Sequence, residues 1–280
     1  MNPCRGATAA TLLTATFLVA CAIDTSWIGV AASAEAGDST AVVDPHAVQP
    51  ERPTLATHAH TVAPGWMEIE AGVEHDRFAD RTQIESAVST IKLGLSRHTQ
   101  LGVTTSVLRD PNDAVHTAGI GDLSLALKWR LLDSAPWLGD FALLPVFKLP
   151  SGSSARGTGT GTTDGSLYLV SSHPFGQVSL DINAGATVRS GGGSNAPARA
   201  SLWTVALGLP VKGTVGWAGE VYGLPGTSGP GGTAPIIAVL FGPTCTPRPW
   251  LEADAGAIVP ISGPQPHALY AGMVWNVGRL

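Results

Sequence analysis

Apolar and polar residues alternate with a period of two through most of the chain after Pro64, and that period belongs to strands. The clearest run is AGIGDLSLALKWRLLD, residues 118–133, where Leu123, Leu125, Leu127, Trp129 and Leu131 share one face. Asp122, Ser124, Ala126, Lys128 and Arg130 fill the other face. A helix would scatter these five apolar positions around its circumference, so despite its Leu, Ala, Lys and Arg the stretch reads as a strand. Met67, Ile69, Ala71 and Val73 alternate with Glu68, Glu70 and Glu74, and Ile91, Leu93 and Leu95 alternate with Thr90, Lys92 and Ser96. Residues 99–109 set Leu101, Val103 and Val107 against Gln100, Thr104 and Ser106, and residues 178–189 set Val178, Leu180 and Ile182 against Ser179, Asp181, Asn183 and Arg189. Phe141, Leu143, Phe147 and Leu149 oppose Asp140 and Lys148, the phase blurs over 165–173, and further strands fall near 200–209, 214–223, 235–241, 250–259 and 267–277.

About twelve strands result, with hardly a helical period among them. The first, third and later odd-numbered strands are followed by long or flexible connections such as HDRFADRTQIE, RDPNDAVHTAG and PSGSSARGTGTGTTD. Most of the others are short, RHT and PFG for example, with LLDSAPWL and GPTCTPRP as exceptions. An even strand count with one end elaborated and the other tight predicts an all-β fold, a closed antiparallel transmembrane β-barrel with short periplasmic turns and longer outer loops. Closure is required because a backbone surrounded by lipid must pair all its N–H and C=O groups. The same alternation also fits a soluble exported β-sandwich with its apolar face turned inward. Trp66, Trp137, Trp250 and Trp275 near strand ends favour the barrel, whose membrane boundaries carry aromatic girdles. Trp129, Trp203 and Trp217 are placed less well for that.

Composition supports export and argues against a basic partner. Charged residues make up 13% of the chain, about half the ~25% usual in soluble domains. The 34 glycines and 21 prolines supply turns, yet mean hydropathy is +0.19. A net charge of -5 argues against a nucleic-acid partner, which would favour a basic surface. Arg5, the apolar run 7–23 and Ala32-Ser33-Ala34 form a signal peptide over residues 1–34. Leu18-Val19-Ala20-Cys21 offers the alternative of a lipid-anchored protein modified at Cys21. Residues 35–63, with Pro45, Pro50 and Pro53, read as a flexible lead to a barrel over 64–280.

Several segments resemble an outer-membrane family, the transporter-like proteins of the meta-pathway of phenol degradation. They are RPTLATHAHTVAPGWMEIEAGVEHD, IKLGLSRHTQLGVTTSV, GIGDLSLALKWRLLD, ALLPVFKLPSGS, LDINAGATV and DAGAIVPISGPQPHALYAGMVW, in order across residues 52–280. The resemblance implies an outer-membrane barrel that passes small aromatic or apolar compounds. The chain closes Val277-Gly278-Arg279-Leu280 instead of on the aromatic residue common in such barrels.

Strand parity directs Glu68, Glu70, Glu74, Lys92, Asp122, Lys128, Arg130, Asp140, Lys148, Asp181, Arg189, Glu220, Glu252 and Asp254 into the lumen. Carboxylates and bases there would pair across the barrel, and the acidic excess would favour cations or neutral solutes. Whether these groups line a passage or close it is left open by the pattern. Catalysis is not expected: Ser171-Ser172-His173 has neighbours on opposite faces, and no nucleophile elbow is present. Glu68 with Glu70 and Glu252 with Asp254 have the same-face spacing of a carboxylate pair, which lumen lining explains equally well. His58-Ala59-His60 supplies too few ligands for a metal, GTGTGTTDG lacks the lysine of a phosphate loop, and no cofactor is expected. The expected partners are outer-membrane lipid and a small-molecule solute.

Overall fold

A computed structural model describes residues 44–113, 118–190, 197–228 and 232–280. The assigned signal peptide and Cys21 lie outside the described residues. Within them the chain is a single closed antiparallel barrel of twelve strands. The strands are β1 (Trp66–Arg77), β2 (Gln83–Gly94), β3 (Thr99–Arg109), β4 (Ala118–Ile120), β5 (Leu123–Ala135), β6 (Gly139–Leu149), β7 (Asp164–Phe175), β8 (Val178–Arg189), β9 (Arg199–Lys212), β10 (Val215–Leu224), β11 (Ile236–Arg248), β12 (Leu251–Ser262) and β13 (His267–Arg279). The three-residue β4 and the long β5 both pair with β3 and form one run, interrupted at Gly121 and Asp122. Neighbours in sequence are neighbours in the sheet, and β1 pairs with β13 to close the seam.

Alternation has its expected consequence on β5. Leu125, Leu127 and Trp129 are 39%, 39% and 51% exposed on the outside, while Lys128 between them is 1% exposed. The barrel is therefore inverted relative to a soluble core, with apolar side chains outward and Glu68, Lys92, Glu220 and Asp254 buried inside. Leu131 and Leu132 both face out because the ladder to β6 shifts between Arg130 and Leu132.

The two long exceptions among the tight connections prove to be mostly strand. β5 runs to Ala135 and β11 to Arg248, leaving only residues 136–138 and 249–250 as turns. Proline inside β11, and just beyond the end of β5 at Pro136, conceals this continuity in the sequence. Pro243 pairs with Trp217 on β10, while the β12 ladder is unpaired at that position, where no amide is available to bond. The opposite connections are also uneven: the first spans only residues 78–82 and the longest 150–163. That longest connection contains a 3-10 turn, Ser154–Arg156, and folds back onto Asp122. Exposed Trp129, Trp137, Trp217 and Trp275 all lie toward the tight-turn end, so Trp129 and Trp217 belong with the aromatic girdle after all.

The lead segment departs most from its expected flexibility. From Asp44 onward it enters the barrel at the tight-turn end and lies inside the lumen, with Val48, Ala56, Ala59 and Val62 buried. A peptide with three prolines and no periodicity has no sheet of its own, and here the barrel wall supplies its hydrogen-bond partners.

Candidate functional site

Residues 44–63 visit the wall strand by strand, and wall side chains hold mainly their backbone amides. His46 stacks near Trp66 and Trp250, with ring centroids 5.0 and 6.1 Å away, and its Nε2 lies 3.0 Å from the Asn276 carbonyl. The Gln49 and Glu51 amides donate to Glu68 and Glu70 on β1, at 2.8 and 2.7 Å. Leu55 and Ala56 both donate to the Glu220 carboxylate on β10, at 2.8 and 2.7 Å. Thr57 exchanges two hydrogen bonds with Asn183 on β8, Ala59 donates to Ser172 on β7, and Val62 donates to Gln100 on β3. One extended segment thus borrows its partners from strands all round the barrel.

Two lysines tie the segment to the β2–β5 side. Lys92 lies 2.6 Å from both Glu68 and Glu70 and also donates to the Gln49 carbonyl. Lys128 donates to Glu51 at 2.6 Å, to the Thr57 hydroxyl at 2.7 Å and to the His58 carbonyl at 2.7 Å. Glu51 comes from the segment itself and is the one carboxylate in ion-pair contact with Lys128 among the described residues, so that buried ammonium is paired only when the segment is seated.

Arg52 forms a third anchor. Its Nε and Nη2 donate to the two oxygens of Asp254 at 3.1 and 2.9 Å, a two-pronged geometry. The guanidinium fits over Gly72 and Gly272, which face each other across the β1–β13 seam. A Cβ at Gly72 would lie 2.1 Å from Nη1, and one at Gly272 would lie 2.3 Å from Nε. Only bare backbone at both positions leaves room for the plane of the side chain.

The remaining parity-assigned residues separate by height. Arg130 contacts Asp133 at 3.0 Å and the His60 ring at 3.2 Å, and Asp140 lies 3.7 Å from His60. Asp181 accepts from Ser172, and Glu252 accepts from Thr246 at 2.8 Å. Glu74 lies with Asp76 above the segment, toward the loop end. Asp122, Lys148 and Arg189 join at the loop end instead of meeting the segment. Lys148 lies 2.8 Å from Asp122 and 3.2 Å from Asp164, and Arg189 donates to Asp164 at 3.1 Å. Asp122 sits in the break between β4 and β5. Partial burial pushes its carboxyl upward, but the Lys148 ammonium and the amides of Thr160 and Gly152 outweigh this and hold it below its usual range.

Charge alone misses Gln100, Ser172, Asn183 and Thr204, the uncharged polar residues that also bind the segment or its partners. Their signal was parity, since Gln100 and Asn183 occupy the polar phase of their strands. Ser171 and His173, two apart on β7, do meet, with Oγ 2.8 Å from Nε2, while Ser172 turns into the lumen. Ser171 donates to the Leu138 carbonyl, and no acid among the described residues orients the ring. His58 and His60 have ring centroids 5.5 Å apart, and no third ligand side chain joins them among the described residues.

Among the described residues, cavities lie beside the segment, two of them sharing a boundary. One, of about 320 Å³, is lined by Leu55, Val88, Leu144, Tyr168 and Leu202 among others. Tyr168 lies flat over Gly185, which keeps its ring against the wall. The other, of about 470 Å³, opens toward the tight turns and is lined by Asp181, Glu252 and His58 among others. Arg52, Pro53 and Thr54 line both, so the partition between the cavities is only a few residues thick.

No protein-family model matches the chain, and no curated relative does. Solved structures share the fold. The COG4313 outer membrane channel from Pseudomonas putida F1 aligns with a TM-score of 0.59 and 12% identity, over 78% of this chain and 97% of that one. The NanC porin aligns with a TM-score of 0.55 and 6% identity, over 75% of this chain and 98% of that one.

Proposed function

We propose that this protein is an outer-membrane channel for passive passage of small aromatic or apolar compounds, with its own residues 44–63 seated in the lumen. The observation that carries this reading is the thin partition at Arg52–Thr54 between two cavities inside an otherwise continuous barrel. Its outward apolar face suits lipid, and the polar lumen suits water. Leu55 and Val88, 42% and 38% exposed, give the loop-side cavity apolar surface together with Leu144, Tyr168 and Leu202, beside the polar Glu51, Glu70, Thr90 and Asn183. That lining supports an apolar solute body, as the sequence resemblance implies. The salt-bridged seating of the segment favours a second reading, a closed barrel without transport.

Fractionation and planar-bilayer recording test these readings together. The channel reading expects the protein in the outer-membrane fraction, discrete conductance steps, and faster entry of toluene or phenol into loaded liposomes. Recovery in the soluble periplasm would sink the location. Correctly folded protein that passes neither ions nor these solutes would leave the closed barrel.

A further inference from the structure

The luminal segment is held unevenly. Toward β1–β5 it meets Glu68, Lys92, Gln100 and Lys128, long side chains that fill the space between wall and segment. Toward β9–β11 the inner wall at the tight-turn end carries Ala206, Gly208, Gly216, Ala218 and Thr244, which cannot reach it. The 470 Å³ cavity is the space they leave.

The cavity also carries carboxylates with no lysine or arginine in ion-pair contact among the described residues, a trait shared by Glu220 further up the lumen. Glu68 and Glu70 are matched by Lys92, Asp254 by Arg52, and Asp122 by Lys148. Asp181 and Glu252 accept only from the hydroxyls of Ser172 and Thr246, and no lysine or arginine forms an ion pair with either among the described residues. The buried Nδ1 of His58, on the same cavity, has no hydrogen-bond partner, so a polar group is left for a guest.

We infer that solute passes the luminal segment along the small-residue wall of β9–β11, and that Asp181 on β8 and Glu252 on β12, which flank it, make this path selective for cationic and neutral compounds over anions. The inference rests on the channel reading. Two carboxylates facing a narrow path attract cations and repel anions, and the Arg52 guanidinium that also lines the cavity is already paired with Asp254. A solute coming from the loop-side cavity meets the partition at Arg52–Thr54, then this cavity, then the turns at 176–177 and 213–214.

The test is the reversal potential of the full-length protein in planar bilayers under a KCl gradient, with folding verified by heat-shifted migration on gels. Wild type is expected to be cation-selective. The near-isosteric Asp181→Asn/Glu252→Gln double variant should move the reversal potential at least halfway to zero, while Glu85→Gln on the exposed loop end leaves it unchanged. Ala206→Phe with Ala218→Phe should lower conductance severalfold, and Ala206→Val provides a milder filling if the bulky pair fails to fold. A conducting wild type with selectivity unaltered in the double variant, or conductance unaltered by filling, overturns the path and spares the channel reading. A folded wild type that carries no current overturns both.

Discussion

The two sides of the lumen solve opposite problems with the same alternating strands. On β1–β5 the inward positions carry Glu, Lys and Gln, which reach the luminal segment and lock it with ion pairs and amide caps. On β9–β11 the corresponding positions at the tight-turn end carry alanine and glycine, and the wall stands back from the segment. The difference shows that parity decides which residues face inward, whereas side-chain length decides whether the interior is a lock or a space. A barrel needs both if a chain segment is to sit inside without filling it.

Removing the lock should have the largest effect. Lys128→Met leaves Glu51 without its closest cation and the carbonyl of His58 without its donor, all in a buried setting. Breaking a buried pair from one side costs about 3–5 kcal/mol, and a loss of that size is expected in the unfolding free energy measured in detergent or lipid. A loss below about 1 kcal/mol would mean that the segment does not depend on this side.

Arg52 tests the partition itself. Arg52→Ala strands Asp254, which is 1% exposed, and should cost about 2–3 kcal/mol. Single-channel conductance should rise because the partition is no longer held. Gly272→Val should reproduce the rise with Arg52 still present, since its side chain would occupy the guanidinium slot. Equal conductance in both variants and wild type would place the resistance elsewhere.

The spacious side should be the least sensitive. Ala206→Val adds two methyl groups beside an existing cavity, so its effect on stability should stay within about 0.5 kcal/mol. A larger loss would show that the β9–β11 wall is packed as tightly as its counterpart.

Much of the barrel was legible because a strand records its two faces in its own sequence. Leu123 to Leu131 announced both the fold and the direction of Lys128. The luminal segment was not legible for a physical reason: its structure rests on backbone amides that every residue possesses, and their acceptors lie on distant strands such as β8 and β10. Three prolines then looked like a linker. The continuation of β11 through Pro243 was obscured for the opposite reason, because the neighbouring strand tolerates an unpaired position that isolated sequence rules count as a break. The charged parity set named most of the wall and none of the segment, so Glu51 and Arg52, its principal charged anchors, had no counterpart in the reading.

The Gly72–Gly272 pair also bears on assembly. The barrel is completed where its first and last strands meet, and a slip there must be by two residues to keep the same face inward. Such a slip would set Tyr270 or Val274 opposite Gly72 and put a side chain where the guanidinium must lie. Arg52 can dock only on a seam closed in the native register. The hold of Arg52 on the seam is thus available to one alignment of the chain's two ends alone, the one that leaves both glycines side by side.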